Sequence, residues 1–109
     1  MTDWSLTLSA PAKINLYLGV HTARDDRGYH KVDSLMAAVG LADTVTVTPA
    51  QALTVQTIPA SDFPMQKNTA YRAAAAMAEH YGREANVCIT IEKSIPLCAG
   101  LGGPSTDAA

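Results

Sequence analysis

Apolar and polar residues alternate at the start of the chain, with Trp4, Leu6 and Leu8 set against Ser5, Thr7 and Ser9. That period of two predicts a strand with one face on a core. Pro11 interrupts the run, and Ile14, Leu16 and Leu18 against Asn15, Tyr17 and Gly19 predict a second strand. The stretch "HTARDDRGYH" at 21–30 is polar, charged and broken by Gly28, which predicts an exposed loop. Val32 to Leu41 fits a strand or a helix by pattern; a strand distorted near Gly40 is the better fit. Thr44 to Thr48 alternates again, with Val45 and Val47 on one face, and Leu53, Val55 and Thr57 predict its partner strand across a short turn. Pro59 and Pro64 then bound a connecting loop.

The period changes at Ala70. Ala70, Ala73, Ala74, Met77, Ala78 and Tyr81 recur at three-four spacing and predict one helix with a single buried stripe. Asn68 is suited to cap its start, because an Asn side-chain oxygen accepts an orphan backbone N–H, and Gly82 suits its left-handed end. Val87, Ile89 and Ile91 against Cys88, Thr90 and Glu92 return to the period of a strand. Strands, one helix, a strand and a glycine-rich turn make an α+β helix-on-sheet layer. A second helix should begin near Ser105, but only its first turn lies in this sequence, and an isolated turn does not nucleate in water. The layer is therefore expected to be truncated before that second helix.

Composition narrows the function classes. One domain is the natural reading of 109 residues, of which 48% are apolar and 17% charged, a globular balance. A formal charge of −2 with no run of Lys and Arg gives nucleic-acid binding no electrostatic support. No apolar stretch is long enough to span a bilayer, and the N-terminus does not read as a signal peptide. Two cysteines, Cys88 and Cys98, suggest reduced thiols in a cytoplasm; Cys88 should be buried in its strand and Cys98 partly exposed in the glycine loop. They are too few to hold a metal.

The candidate chemistry sits in "IPLCAGLGGPSTDAA" at 95–109. Glycines at 100, 102 and 103 let backbone N–H groups approach an anion, a following helix N-terminus adds positive partial charge, and Ser105 and Thr106 offer hydroxyls to phosphate or an accompanying cation. The turn is no nucleotide P-loop, since no Lys follows at the required place, and no dinucleotide fingerprint, since position 105 is Ser. By itself the stretch reads equally as a tight turn with Ser105 or Thr106 as a helix cap.

Three segments in order decide between these readings: "PAKINLYLGV" at 11–20, "RDDRGYH" at 24–30 and "KSIPLCAGLGGPSTDAA" at 93–109. Together with "LADTVTV" and "NTAYRAAAAM" they resemble the N-terminal part of the GHMP small-molecule kinases. Gly-Tyr-His resembles the branch that acts on a methylerythritol unit carrying cytidine diphosphate, in non-mevalonate isoprenoid synthesis. The resemblance implies ATP, with Mg²⁺, as phosphate donor and a hydroxyl of that small molecule as acceptor. It implies that Gly100, Leu101, Gly102, Gly103, Ser105 and Thr106 wrap the ATP phosphates, with Asn68 and Lys93 on the adenine side. Lys13 matches the catalytic lysine, near the reacting oxygen, and Asn15, two residues along the strand, shares its face. Tyr29 and His30 match the pair that recognises cytosine, by stacking and by hydrogen bonding. His21 and His80 match no motif and are expected at the surface, as is the pair Asp25 and Asp26.

Two departures from the family pattern carry consequences. Pro104 stands where a third glycine is usual; it either removes an N–H from the phosphate cradle or occupies a first-turn helix position where that donor is orphaned anyway. The family's general base lies in a later Gly-Ala-Asp-Val-Pro-like segment, and Asp107 is not that residue. The chain is thus expected to be an incomplete N-terminal, ATP-binding domain without its C-terminal partner, inactive alone and open to self-association through uncovered apolar surface. The alternatives are another GHMP kinase, acting on homoserine, a mevalonate or a sugar, and a non-catalytic or RNA-contacting module, since the family's fold resembles a ribosomal protein domain.

Overall fold

The computed structural model describes residues 4–60, 63–96 and 100–109. The predicted behaviour of Cys98 lies outside these residues. Strand β1 runs over Leu6–Arg24 and β2 over His30–Pro49; β3 is Thr54–Ile58, α1 is Thr69–His80, β4 is Val87–Glu92 and α2 is Gly103–Ala108. A short 3₁₀ turn, Met65–Lys67, precedes α1. The four strands form one sheet in the order β1-β2-β4-β3.

The period-two pattern builds this sheet in rows. Leu6 lies opposite Val47, Val47 opposite Ile89 and Ile89 opposite Val55, so one apolar row crosses all four strands. Leu8, Val45, Ile91 and Thr57 form the next. Helix α1 lies over the β4 and β3 end of these rows, where Ala70, Val55, Ile89 and Ile91 make the buried core. At the β1 end no helix covers them among the described residues, and Leu6 and Leu8 remain 50% and 59% exposed.

Several expectations change. Pro11 does not end a strand: β1 continues through it, and β1 is an edge strand, the place in a sheet where proline is tolerated. The ladder instead slips beside it. Two steps of β1, from Pro11 to Lys13, face four steps of β2, from Ala42 to Ala38, so the surplus of β2 surrounds Gly40, where distortion was expected. The predicted loop at 21–30 shrinks to a turn at 25–29, since β1 extends to Arg24 and β2 begins at His30. Strand β3 does not pair with β2. It pairs in parallel with β4, which inserts between them, because α1 carries the chain back across the sheet as a crossover.

Helix α1 starts as expected, with the Asn68 side chain accepting from the Ala70 N–H at 2.9 Å. Its stripe is shorter than predicted: only Ala70 is buried, and Met77 and Tyr81 are 60% and 67% exposed. Cys88 is half-buried, on the polar side of β4 where Gln56 and Thr90 meet. The layer is also not truncated before its second helix. Helix α2 forms from Gly103, two residues earlier than expected, and its one and a half turns are held by tertiary contacts instead of self-nucleation.

Candidate functional site

Strand β1, the end of β4 and the start of α2 converge on the glycine turn. Gly100 and Gly102 both have φ of 72°, the left-handed region that glycine occupies without strain. That reversal swings the backbone back against β1: the Lys13 N–H donates to the Leu101 carbonyl at 2.9 Å. The Lys13 ammonium donates to the Gly100 carbonyl at 2.7 Å and to Asn15 Oδ1 at 2.5 Å. A Cβ on Gly102 would lie 3.1 Å from Lys13 Cγ, so the turn is seated on the lysine stem. Lys13, Asn15, Gly100, Leu101 and Gly102, singled out separately in the sequence, are thus neighbours. Asn15 in turn donates from Nδ2 to Ser34 Oγ at 2.7 Å, and Ser34 donates to the Tyr17 carbonyl at 3.2 Å. Ser34, on β2, was not anticipated; the strand pairing that brings it there is invisible in local sequence.

The other flank of the turn carries a second lysine. Lys93 Nζ donates to Asp43 Oδ2 at 2.6 Å and to Asp107 Oδ2 at 2.8 Å, and its side chain is 16% exposed. Asp43, wholly buried, also accepts the Ser94 and Ile95 N–H groups on Oδ1 at 2.6 and 2.8 Å. Sequence reading passed over Asp43, although its parity with Val45 and Val47 puts it on the core face, one row beyond Ile91. A buried aspartate on such a row needs a cation, and Lys93 shares the parity of Ile89 and Ile91. Burial pushes the Asp43 carboxyl up, but Lys93 and the two N–H donors outweigh it and leave its pKa lowered. Burial pulls the Lys93 ammonium down, and its bonds to Asp107 and Asp43 reverse this to a net rise. Asp107 shows the opposite balance. Burial, reinforced by the charge of Asp43, exceeds the help from Lys93 and pushes it up to about 6.

Helix α2 begins between these flanks. Its geometry leaves the N–H groups of Gly103 and Ser105 without intrahelical acceptors, whereas the Thr106 N–H closes on the Gly102 carbonyl at 3.0 Å. Pro104 occupies the first turn, so it breaks no helical hydrogen bond and adds no donor at the helix start. Ser105 is exposed and Thr106 half-buried. Beside α2 opens a pocket of about 650 Å³ whose walls include Phe63, Asn68, Ile91, Lys93, Pro96 and Pro104. Asn68 and Lys93 therefore line one cavity, although the Asn68 oxygen caps α1 and the Lys93 charge is engaged by two carboxylates.

Tyr29 and His30 stand apart from this centre, at the tip of the β1–β2 ribbon. His30 donates from Nδ1 to the His21 carbonyl at 2.9 Å, and His21 donates from Nε2 to Asp33 at 2.6 Å. His21 lies eight residues beyond Lys13, at most about 26 Å of extended strand. Asp25 is more than a solvated acid: its Oδ1 accepts the Arg27 and Tyr29 N–H groups at 2.9 and 3.0 Å, closing the turn that presents Tyr29. Those bonds, that from Tyr29 foremost and then the Arg27 side chain, lower its pKa. The Tyr29 ring is 66% exposed, with the Arg27 guanidinium 5.3 Å from its centroid. Among the described residues no group of His, Cys, Asp or Glu could hold a metal ion, and no helix is long and apolar enough to cross a membrane.

Comparison with known proteins shows what this chain is similar to. Residues 68–109 match the GHMP kinases N terminal domain. Over these residues the chain is similar to the N-terminal domain of the GHMP kinases. Along its full length it is 48% identical to a Mycolicibacterium smegmatis protein named 4-diphosphocytidyl-2-C-methyl-D-erythritol kinase, and covers 34% of that protein. A Mycobacterium tuberculosis protein of the same name is 44% identical over 96% of the chain, again with 34% of the relative covered. The chain thus spans about a third of the length of these relatives. A crystal structure of 4-(cytidine 5'-diphospho)-2C-methyl-D-erythritol kinase superposes with a TM-score of 0.76 at 41% identity, over 94% of this chain and 37% of that one. Homoserine kinase from Cytophaga hutchinsonii gives 0.67 at 24% identity over 95% of this chain and 32% of that one, a likeness of fold alone.

Proposed function

We propose that the whole protein transfers a phosphoryl group from ATP to a hydroxyl of 4-diphosphocytidyl-2-C-methyl-D-erythritol, the substrate in the names of the relatives that match 96–100% of the chain. Residues 1–109 are its nucleotide-side portion, and the rest of the protein supplies the general base and the remaining cleft wall. The observation that carries this reading is the seating of the glycine turn on Lys13, through the Leu101 and Gly100 carbonyls.

In this reading the N–H groups of Gly103 and Ser105, with the Ser105 and Thr106 hydroxyls, hold the ATP phosphates. Gly100, Leu101 and Gly102 shape the turn. The adenosine enters the pocket lined by Asn68 and Lys93, whose apolar walls suit a flat base. Mg²⁺ accompanies the nucleotide phosphates, as is usual for a phosphoryl donor. Lys13 lies within reach of the transferred group, and its ammonium, bonded among the described residues only to neutral oxygens, offsets charge building on the phosphoryl oxygens. Asn15 orients Lys13 and the acceptor hydroxyl. Tyr29 stacks on cytosine and His30 contacts its edge, with the diphosphate substrate stretched along the ribbon between tip and turn. Such a kinase draws on the ATP of the cytoplasm and acts on a small molecule.

Coupled measurement of ADP formation by the whole protein tests this. Turnover should require the cytidine-bearing alcohol, and Lys13→Ala should lower kcat about 10²–10³-fold with the KM for ATP nearly unchanged. Turnover with homoserine in place of that alcohol would assign the protein to another kinase class. An unchanged kcat would remove Lys13 from the chemistry.

A further inference from the structure

The kinase reading leaves one buried feature without a task. Lys93 carries one positive charge between two carboxylates, so the Asp43–Lys93–Asp107 group holds a net negative charge inside the protein. Among the described residues Asp107 Oδ1 is buried with no hydrogen-bond partner, and the Asp107 side chain is 3% exposed. A buried charge group of this kind is not an efficient way to stabilise a fold; its better-attested use is to select one arrangement over its neighbours.

The arrangement it selects is visible in what it joins. Asp43 belongs to β2 and grips Lys93, Ser94 and Ile95, the residues that leave β4 for the glycine turn. Asp107 belongs to α2, which starts at Gly103 on the far side of that turn. Lys93 connects the two. Its Nζ lies 3.4 Å from where a Gly103 Cβ would stand, and Ile95 Cγ2 lies 3.1 Å from the same point, so the first residue of α2 is packed directly on this group. Both ends of the turn are therefore fixed to one point on the sheet.

We propose that the Asp43–Lys93–Asp107 group is a positioning device for nucleotide binding: it fixes the direction in which the Gly103 and Ser105 N–H groups point, with Lys93 and Asp107 acting through the turn and not by ionic contact with the phosphates. This deepens the kinase reading and rests on it. It also reassigns Lys93, expected from family resemblance to face ATP. Its ammonium is consumed internally, and only its stem and backbone remain for the pocket wall.

Asp107→Asn in the whole protein tests the idea. The amide keeps the volume and one acceptor for Lys93 but removes the charge. Its thermal midpoint at neutral pH should equal or exceed that of the wild type, while the KM for ATP rises about tenfold, or about 1.4 kcal/mol, with kcat and the KM for the alcohol within twofold. A purely structural role would leave the KM for ATP unchanged in the folded enzyme, and that result would overturn the proposal. If Asp107→Asn does not fold, Gly103→Ala decides: its methyl displaces the start of α2 from Ile95 and Lys93, and an unchanged KM for ATP would again overturn it. The wild type run alongside separates the two layers. Wild-type protein without nucleotide turnover or ADP binding removes the kinase reading and this inference with it; wild-type turnover with unaltered variants removes this inference alone.

Discussion

Two lysines flank the glycine turn, and their surroundings differ in kind. Lys13 rests in neutral oxygens, from Asn15 and the Gly100 carbonyl, and makes no ion pair among the described residues. Lys93 is pinched between two buried carboxylates. A cation whose charge is unmatched can do work on an incoming anion; one matched twice over holds the protein together. On the proposed function, the contrast divides one turn into a chemical flank on β1 and an anchoring flank on β4 and α2, a division that family resemblance, which marks both lysines as site residues, does not make.

The largest expected effect of breaking this contrast is on stability. Lys93→Met leaves Asp43 and Asp107 facing each other without a cation and should cost about 3–5 kcal/mol, whereas Lys13→Met should cost at most about 1 kcal/mol. Urea titration of both variants in the whole protein checks this, and equal losses would abolish the distinction.

A smaller effect should appear on acidification. The folded-state pKa of Asp107 is raised from 3.8 to about 6, so its ionised form is disfavoured in the folded protein and costs stability above that pH. Stability should therefore increase as pH falls from about 7.5 through 6 toward 4, by up to about 3 kcal/mol. Below that range protonation of Asp43, whose pKa is lowered, reverses the trend. Chemical denaturation between pH 4 and 7.5 reads the slope, which should vanish in Asp107→Asn. A falling stability over this window would contradict the assignment of the excess charge to Asp107.

The chemical flank was legible in the sequence, and the anchoring flank was not. Lys13 and Asn15 share a face because a strand repeats every two residues, and the glycines announce a turn through conformations other residues avoid. Their meeting follows from motif resemblance, since no local pattern joins residue 13 to residue 100. The anchoring flank depends on β2 lying beside β4, a pairing that the alternation at 44–48 and 53–57 concealed by suggesting a hairpin. Had β4 been placed next to β2, the odd-numbered row of Asp43, Val45 and Val47 would have pointed Asp43 at Lys93. The same misplacement hid the support for α2. Its six residues read as too short to form because the buried bond from Lys93 to Asp107 was not in view. Pro11 misled for a related reason: whether a proline ends a strand depends on whether that strand lies at the edge of its sheet, and topology sets that.

Amide hydrogen exchange of the whole protein with and without ADP tests the central claim most directly, because the turn and Lys13 must answer one ligand together. ADP should slow exchange across 100–106 and at the Lys13 segment in the same titration. Protection that appears elsewhere, or at one of these segments without the other, would contradict the shared site.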